Sequence, residues 1–193
     1  SRKLFHIKDG DMGKGYGYQW RNFGAVDVGH QTYRGVDQLP GVIDSIKNDP
    51  YGRRHIITAW NPNDLNEVSL PPCHILVQFY VDNGELSSQF YMRSVDTFLG
   101  LPFNVMSYAI LTHLIAKATN LKAKEVVFCG GDTHIYSNHI EQVKEQITRE
   151  PFDFPQITIN KEINSVHDME NLSFNDFVIS NYNCHPAIKA EMA

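Results

Sequence analysis

The sequence predicts an α+β fold in which a large twisted sheet packs against a central buried helix. Three observations carry this. Strand-like runs at 75–81 and 85–92 flank Asp82-Asn83-Gly84, and Asn-Gly is a strong two-residue turn signal. Residues 103–120 are apolar nearly all round (Val105, Met106, Ala109, Ile110, Leu111, Leu114, Ile115), as a buried helix requires. Shorter strand and helix patterns occur on both sides of this unit.

In chain order, residues 8–24 are rich in glycine and aromatics and read as loop. Residues 37–48 place Leu39, Val42, Ile43 and Ile46 on one helical face before Pro50 stops the helix. Residues 55–60 read as a strand, followed by the hairpin and the apolar helix. Another strand is expected at 125–129. Residues 134–149 then read as a more exposed helix with Tyr136, Ile140, Val143 and Ile147 inward. Short strands near 156–159 and 177–181 close the pattern. No repeat or Pro/Ser-rich linker divides the 193 residues, so one domain, 1–193, is expected.

Composition narrows the classes of function. The formal net charge is −5 and Lys and Arg form no long run, so the basic footprint of a nucleic-acid binder is absent. An anionic ligand would have to be held by a few placed arginines. Cys73, Cys129 and Cys184 lie far apart, with neither zinc spacing nor a small disulfide framework. Reduced thiols in a cytoplasmic protein are expected. No apolar stretch approaches the ~20 residues of a membrane helix. Nor do the first residues carry the apolar region of a signal peptide.

Four features could carry chemistry. Cys73 lies in Leu70-Pro71-Pro72-Cys73-His74, where two prolines fix the backbone at the start of a strand. A free cysteine is most often a small buried hydrophobe, and it becomes a nucleophile where nearby cations favour the thiolate. Arg53-Arg54 and Arg93-Ser94 offer guanidinium forks and a hydroxyl suited to phosphate, or are ordinary surface groups. Asn104, in Gly100-Leu101-Pro102-Phe103-Asn104, reads first as a helix cap. Alternatively its amide could pair with the edge of a pyrimidine. In Gly130-Gly131-Asp132-Thr133-His134-Ile135-Tyr136, paired glycines admit a ligand close to the backbone, and His134 and Tyr136 add polar tips. A metal pair of His134 with His139 is disfavoured, because a spacing of five does not place both rings on one helical face.

Together and in order, these segments resemble the thymidylate synthases. The resemblance runs through Gly15-Tyr16-Gly17-Tyr18-Gln19-Trp20-Arg21, Arg53-Arg54, Ala59-Trp60-Asn61-Pro62, Leu70 to His74 and Arg93-Ser94-Val95-Asp96. It continues through Phe98 to Asn104, Gly130 to His139 and His185-Pro186-Ala187-Ile188-Lys189. Only about 162–175 is indistinct.

The resemblance implies that Cys73 adds to C6 of dUMP and that 5,10-methylenetetrahydrofolate is co-substrate, with no metal. The products would be dTMP and dihydrofolate. Arg93 and Ser94 would hold the phosphate, and Arg53 and Arg54 would reach it from the other subunit of a homodimer joined through a sheet face. Asn104 would read O4 and N3 of uracil, His134 and Tyr136 the ribose, and Tyr16 would help remove the C5 proton. Asp96, Gly100 and Phe103 would contact folate, with Asp96 also near the nucleotide, and Asp132 would support the pyrimidine pocket. Arginines near Cys73 would favour its thiolate. The related deoxycytidylate hydroxymethylases carry aspartate at the Asn104 position, so Asn104 implies dUMP over dCMP.

Several residues depart from the pattern. Family members begin well upstream, with a segment bearing a phosphate-binding arginine, a catalytic glutamate and folate-stacking tryptophans that has no match here. Little full turnover is therefore expected from these 193 residues alone. Met92 stands where a glutamine usually precedes the Arg-Ser pair, and a hydrogen bond near the nucleophile is expected to be lost. Ala193 falls about one residue short of the usual apolar terminus that closes over folate. The last residues and 177–182 look more like the phage enzymes. Two alternatives remain open: a dUMP (or dCMP) hydroxymethylase, in which water replaces hydride, and a nucleotide-binding remnant without turnover.

Overall fold

The Asn-Gly turn organises the centre of the molecule. In the computed structural model, which describes residues 10–28 and 31–192 (backbone only at 27, 28 and 31–33), Asn83 has φ 49° and Gly84 φ 79°. Two consecutive positive φ values match the right-handed twist of the flanking strands, and glycine takes one of them without strain. The turn joins β4 (His74–Asp82) to β5 (Glu85–Asp96). Around it lie α1 (Tyr16–Asn22), β1 (Val26–Val28), β2 (Gln31–Tyr33), α2 (Gln38–Asn48) and β3 (Ile56–Thr58). After it come α3 (Gly100–Ala118), β6 (Lys122–His134), α4 (Ile140–Gln146), β7 (Gln156–Ile159), α5 (Val166–Glu170) and β8 (Phe177–Ser180).

The central sheet has the order β3-β4-β5-β6. Its first three strands are antiparallel neighbours, and β6 runs parallel to β5 after the α3 crossover. Alternation sorts the hairpin residues by face. Val77, Phe79, Val81, Leu86, Phe90 and Met92 are buried, whereas Gln78, Tyr80, Gln89 and Tyr91 face outward. On the buried face, Phe90 stacks on Tyr108 of α3 at 4.1 Å, and Ser88 bonds Thr112 at 2.7 Å. The result is a mixed α+β fold with a central sheet. β7 and β8 form a separate antiparallel pair, as do β1 and β2.

Four expectations need correction. Residues 16–22 are helix, not loop. A seven-residue helix containing Gly17 has little intrinsic stability, so its signal is tertiary and not periodic. The apolar helix is buried from Tyr108 onward, but its first turns stand in the open: Phe103 is 67% exposed. β6 extends to His134, beyond the expected end at 129, because β5 pairs with it as far as Asp96↔His134. The helix expected at 134–149 therefore shrinks to α4. Tyr136 (40%), Ile140 (46%) and Ile147 (77%) are exposed, not inward. A 3-10 turn at Ser137–His139 sets a different phase, and His139 is the fully buried residue.

Candidate active site

The parallel β5-α3-β6 crossover brings the ends of β5 and β6 and the start of α3 to one edge of the sheet. The register pairs Ser94 with Asp132 and Asp96 with His134, and Thr97 N–H donates to the His134 carbonyl at 3.0 Å. β4 begins at the same edge, opposite β5 through His74↔Met92, so Cys73 lies beside Arg93. Arg93 N–H donates to the Cys73 carbonyl at 2.9 Å.

Half-buried Cys73 is held from both sides. Its N–H donates to the Tyr16 hydroxyl at 2.8 Å. Arg93 donates from Nε to the Pro72 carbonyl at 2.9 Å and from Nη2 to the Pro71 carbonyl at 3.0 Å. Neither proline has an N–H, so neither can tie this bend down through an amide of its own, and the guanidinium grips its carbonyls instead. The guanidinium carbon also lies 5.6 Å from the centre of the Trp60 ring, within cation–π range. Nη1 of Arg93 makes no bond among the described residues, leaving it available to an anion.

Tyr16 stacks face to face on His74, with ring centres 3.9 Å apart, and His74 Nδ1 lies 2.8 Å from the Tyr108 hydroxyl. Burial holds the His74 imidazole down to about 4, so it is neutral at neutral pH. Burial also pushes the Tyr16 hydroxyl up; the Cys73 N–H opposes this and the Cys73 thiol adds to it. Burial, with Tyr16 second, pushes the Tyr108 hydroxyl up as well. All three groups are therefore protonated or neutral dipoles at neutral pH. α1 is pinned under Cys73 by a buried network. The Asp64 carboxylate accepts from Gln19 (2.8 Å), Asn61 (2.8 Å) and Lys14 (3.0 Å).

At the start of α3, Asp96 Oδ1 accepts from the N–H groups of Phe98 (3.1 Å) and Leu99 (3.2 Å). Asn104 lies in the second turn of α3, which begins at Gly100, so it is not the cap that local sequence favours. Its amide makes no hydrogen bond among the described residues. A Cβ added to Gly100 would sit 3.3 Å from Asp96 Cβ and 3.8 Å from Asn104 Oδ1, so these three positions crowd one another. At the strand ends His134 Nδ1 meets exposed Asp132 at 3.3 Å, and its ring meets Tyr136 edge-on at 5.0 Å.

Cys73, Tyr16, Arg93, Ser94, Asp96, Gly100, Phe103, Asn104, Asp132, His134 and Tyr136 thus share one end of the sheet. Arg53 and Arg54 do not join them. They precede β3, whose far end is near Cys73, which places them roughly 20 Å away at ~3.3 Å per residue. Arg54 is 86% exposed and meets only Asp49, at 3.7 Å, among the described residues. Ala193 lies outside the described residues. Met92 is buried in the core, paired with His74 and Gly130. A thioether suits that apolar position better than an unpaired amide would.

Local sequence reasoning passed over His74, Trp60, Tyr108 and Asp64. Tyr108 was within reach, being four residues beyond Asn104 and so on the same face of α3. Asp64 had no local signal, because its partners lie as far as fifty residues away.

Comparison with known proteins meets this geometry from another side. The thymidylate synthase family model matches residues 3–193. A thymidylate synthase of Staphylococcus haemolyticus (strain JCSC1435) is 50% identical over 186 residues, covering 96% of this chain and 56% of the relative. A bifunctional dihydrofolate reductase-thymidylate synthase of Plasmodium chabaudi is 47% identical over 197 residues, covering 100% of this chain and 33% of the relative. The chain thus spans about half the length of the first relative and a third of the second. With a family model that matches nearly every residue, the chain belongs to the thymidylate synthase family.

Proposed function

We propose that this chain carries the nucleotide-binding and catalytic portion of an enzyme that methylates dUMP at C5, giving dTMP and dihydrofolate. One observation carries the reading: Cys73 is fixed between the Tyr16 hydroxyl and Arg93, at the same sheet end as Asn104. Family membership and 50% identity to a thymidylate synthase support it.

In this reading the Cys73 sulfur attacks C6 of uracil, and the displaced electron pair moves to C5 and O4. Covalent addition divides one difficult substitution into accessible steps. Asn104 has an unengaged amide, so it can donate to O4 and accept from N3–H. The free Nη1 of Arg93, together with Ser94, takes the phosphate. His134 and Tyr136 take the ribose hydroxyl, with Asp132 steadying the imidazole at 3.3 Å. Tyr16 stands against the Cys73 backbone, and its neutral hydroxyl can relay the C5 proton to solvent, giving its own proton onward as it takes up the one from C5.

Reduced folate, when bound, supplies the one-carbon unit and the hydride. The chain's residues fit such a ring: Phe103 offers an exposed aromatic face, Gly100 lets it approach, and the Asp96 carboxylate is an acceptor for heterocycle N–H groups. The outward face of the sheet, with Ile56, Tyr80, Tyr91 and Val127 exposed, supports a homodimer joined there. Arg53 and Arg54 then serve the partner's phosphate site.

Intact-mass spectrometry with 5-fluoro-dUMP and methylenetetrahydrofolate tests the reading. A ternary adduct that disappears in Cys73→Ala supports it. Product analysis then separates dTMP with dihydrofolate from hydroxymethyl-dUMP with tetrahydrofolate. Nucleotide binding to a folded protein that never forms the adduct would leave a binding remnant as the better description.

A further inference from the structure

His139 is fully buried, yet nothing in the proposed chemistry uses it. Its Nε2 donates to the Glu191 carbonyl at 2.7 Å, and Asn138 Nδ2 reaches the same oxygen at 3.3 Å. That bond fixes the tautomer, leaving Nδ1 as an acceptor with no partner among the described residues. The ring also packs on Phe98 (5.4 Å between centres) and edge-on to Tyr136 (5.8 Å). Phe98 follows Asp96 and precedes Gly100, and its N–H is bonded to the Asp96 carboxylate.

The chain near its described end, residues 185–192, runs as a strap without regular structure. Side chains hold it by its carbonyls: Arg149 takes that of Pro186 (2.7 Å), Gln142 that of Lys189 (3.5 Å), and His139 with Asn138 that of Glu191. Of these four side chains only His139 belongs to a fully buried residue, and its ring packs on Phe98 on one flank of the site and on Tyr136 on the other. A cavity of about 760 Å³ lies under the strap, with Leu99 on one wall and Ile188 to Glu191 on another.

We propose that His139 is a positioning residue. Its Nε2–H fixes the strap against the Phe98–Gly100 turn and Tyr136, so that the strap lies in register with the residues that take folate and ribose. The idea rests on the folate-dependent reading above. The interaction that matters is the single donor at the ε position, not the bulk of the ring.

The test compares His139→Ala, His139→Asn and His139→Gln. Glutamine places an amide N–H near the Nε2 position, whereas asparagine is too short to reach it. Tryptic cleavage after Lys189, followed by intact mass without substrate, should be about tenfold faster in the Ala and Asn variants, the effect of one lost hydrogen bond in the docked strap. The Gln variant should stay within about twofold of the parent. The KM for methylenetetrahydrofolate should rise about tenfold in the same two variants, with dUMP affinity moved less than about twofold. In a chain shortened after Lys189, His139→Ala should no longer change that KM, since its effect passes through the strap. An unchanged cleavage rate in the Ala variant, or Gln behaving like Asn, would overturn the proposal. If the Ala variant does not fold, the Gln and Asn pair decides. A parent that forms no Cys73 adduct with 5-fluoro-dUMP and methylenetetrahydrofolate would sink the reading of the reaction, while the cleavage comparison, which needs no turnover, still judges the strap.

Discussion

Tyr16 and Cys73 are 57 positions apart in the chain and 2.8 Å apart in space. The contact runs through the Cys73 N–H, so Tyr16→Phe removes an acceptor while leaving the ring stacked on His74. A proton-transfer role predicts a fall in kcat of at least about 10²-fold, with dUMP affinity changed only a few-fold. Equal losses in kcat and in dUMP binding would assign Tyr16 to holding the Cys73 bend instead. His74 makes a second prediction. Its folded value is about 4 against an ordinary 6.5, so between these values the unfolded chain binds the extra proton. The stability that neutral His74 contributes is full above about pH 6.5 and falls away towards pH 4, by up to ~3 kcal/mol before any local relaxation. Urea titrations across that window should show a smaller slope in His74→Gln. NMR of the imidazole in the folded parent should show no protonation near pH 6. At this scale the motifs named most of the site residues. Their partners were hidden, because Arg93 spends two donors on proline carbonyls and Asp64 gathers Lys14 and Gln19 from a distant stretch of chain as well as its neighbour Asn61.

At the scale of elements, the β5–β6 pair decides how the site is built. Its parallel register aligns Ser94 with Asp132 and Asp96 with His134, so a shift of one residue would turn one set of site side chains to the other face. Gly131 marks how closely the strands approach there. A Cβ at this position would stand 2.7 Å from the Tyr91 hydroxyl and 3.1 Å from the Arg93 carbonyl oxygen. The hydroxyl can swing away, but the backbone carbonyl cannot. Gly131→Ala is therefore expected to lower stability by about 1–3 kcal/mol in urea unfolding and to weaken dUMP binding by shifting Arg93. Unchanged stability and binding would mean that the pair tolerates the extra volume. The hairpin, α2 and the apolar helix were legible because alternation, a 3.6-residue period and an Asn-Gly turn are local signals. α1 and the length of β6 were not. The first is held by Gln19 and Lys14 on Asp64, and the second by hydrogen bonds to β5, a partner supplied by the fold.

At the scale of the whole molecule, the exposed arginines separate a self-contained site from a shared one. Arg53 and Arg54 lie far from Cys73 within this chain, so a role for them in phosphate binding requires a second copy. The proposed homodimer predicts that Arg54→Ala raises the KM for dUMP by about tenfold or more, as loss of a charge-assisted phosphate contact should. It also predicts complementation. Mixing Cys73→Ala subunits with Arg54→Ala subunits should yield heterodimers in which one site in two has both intact residues, and activity should recover on mixing. Sedimentation that shows a monomer, or mixing that restores nothing, would remove the shared site.

The sequence by itself determined the α+β pattern, the hairpin, the candidate nucleophile and the set of polar residues, since these rest on local periodicity, turn chemistry and the order of short motifs. Tertiary structure alone decided which of them meet. It brought Tyr16 and Arg93 to Cys73, freed Asn104 from a capping role, turned Ile140 and Ile147 outward, and buried His139 beneath the strap. Burial and contact depend on what the rest of the chain places opposite a residue, and no local pattern records that.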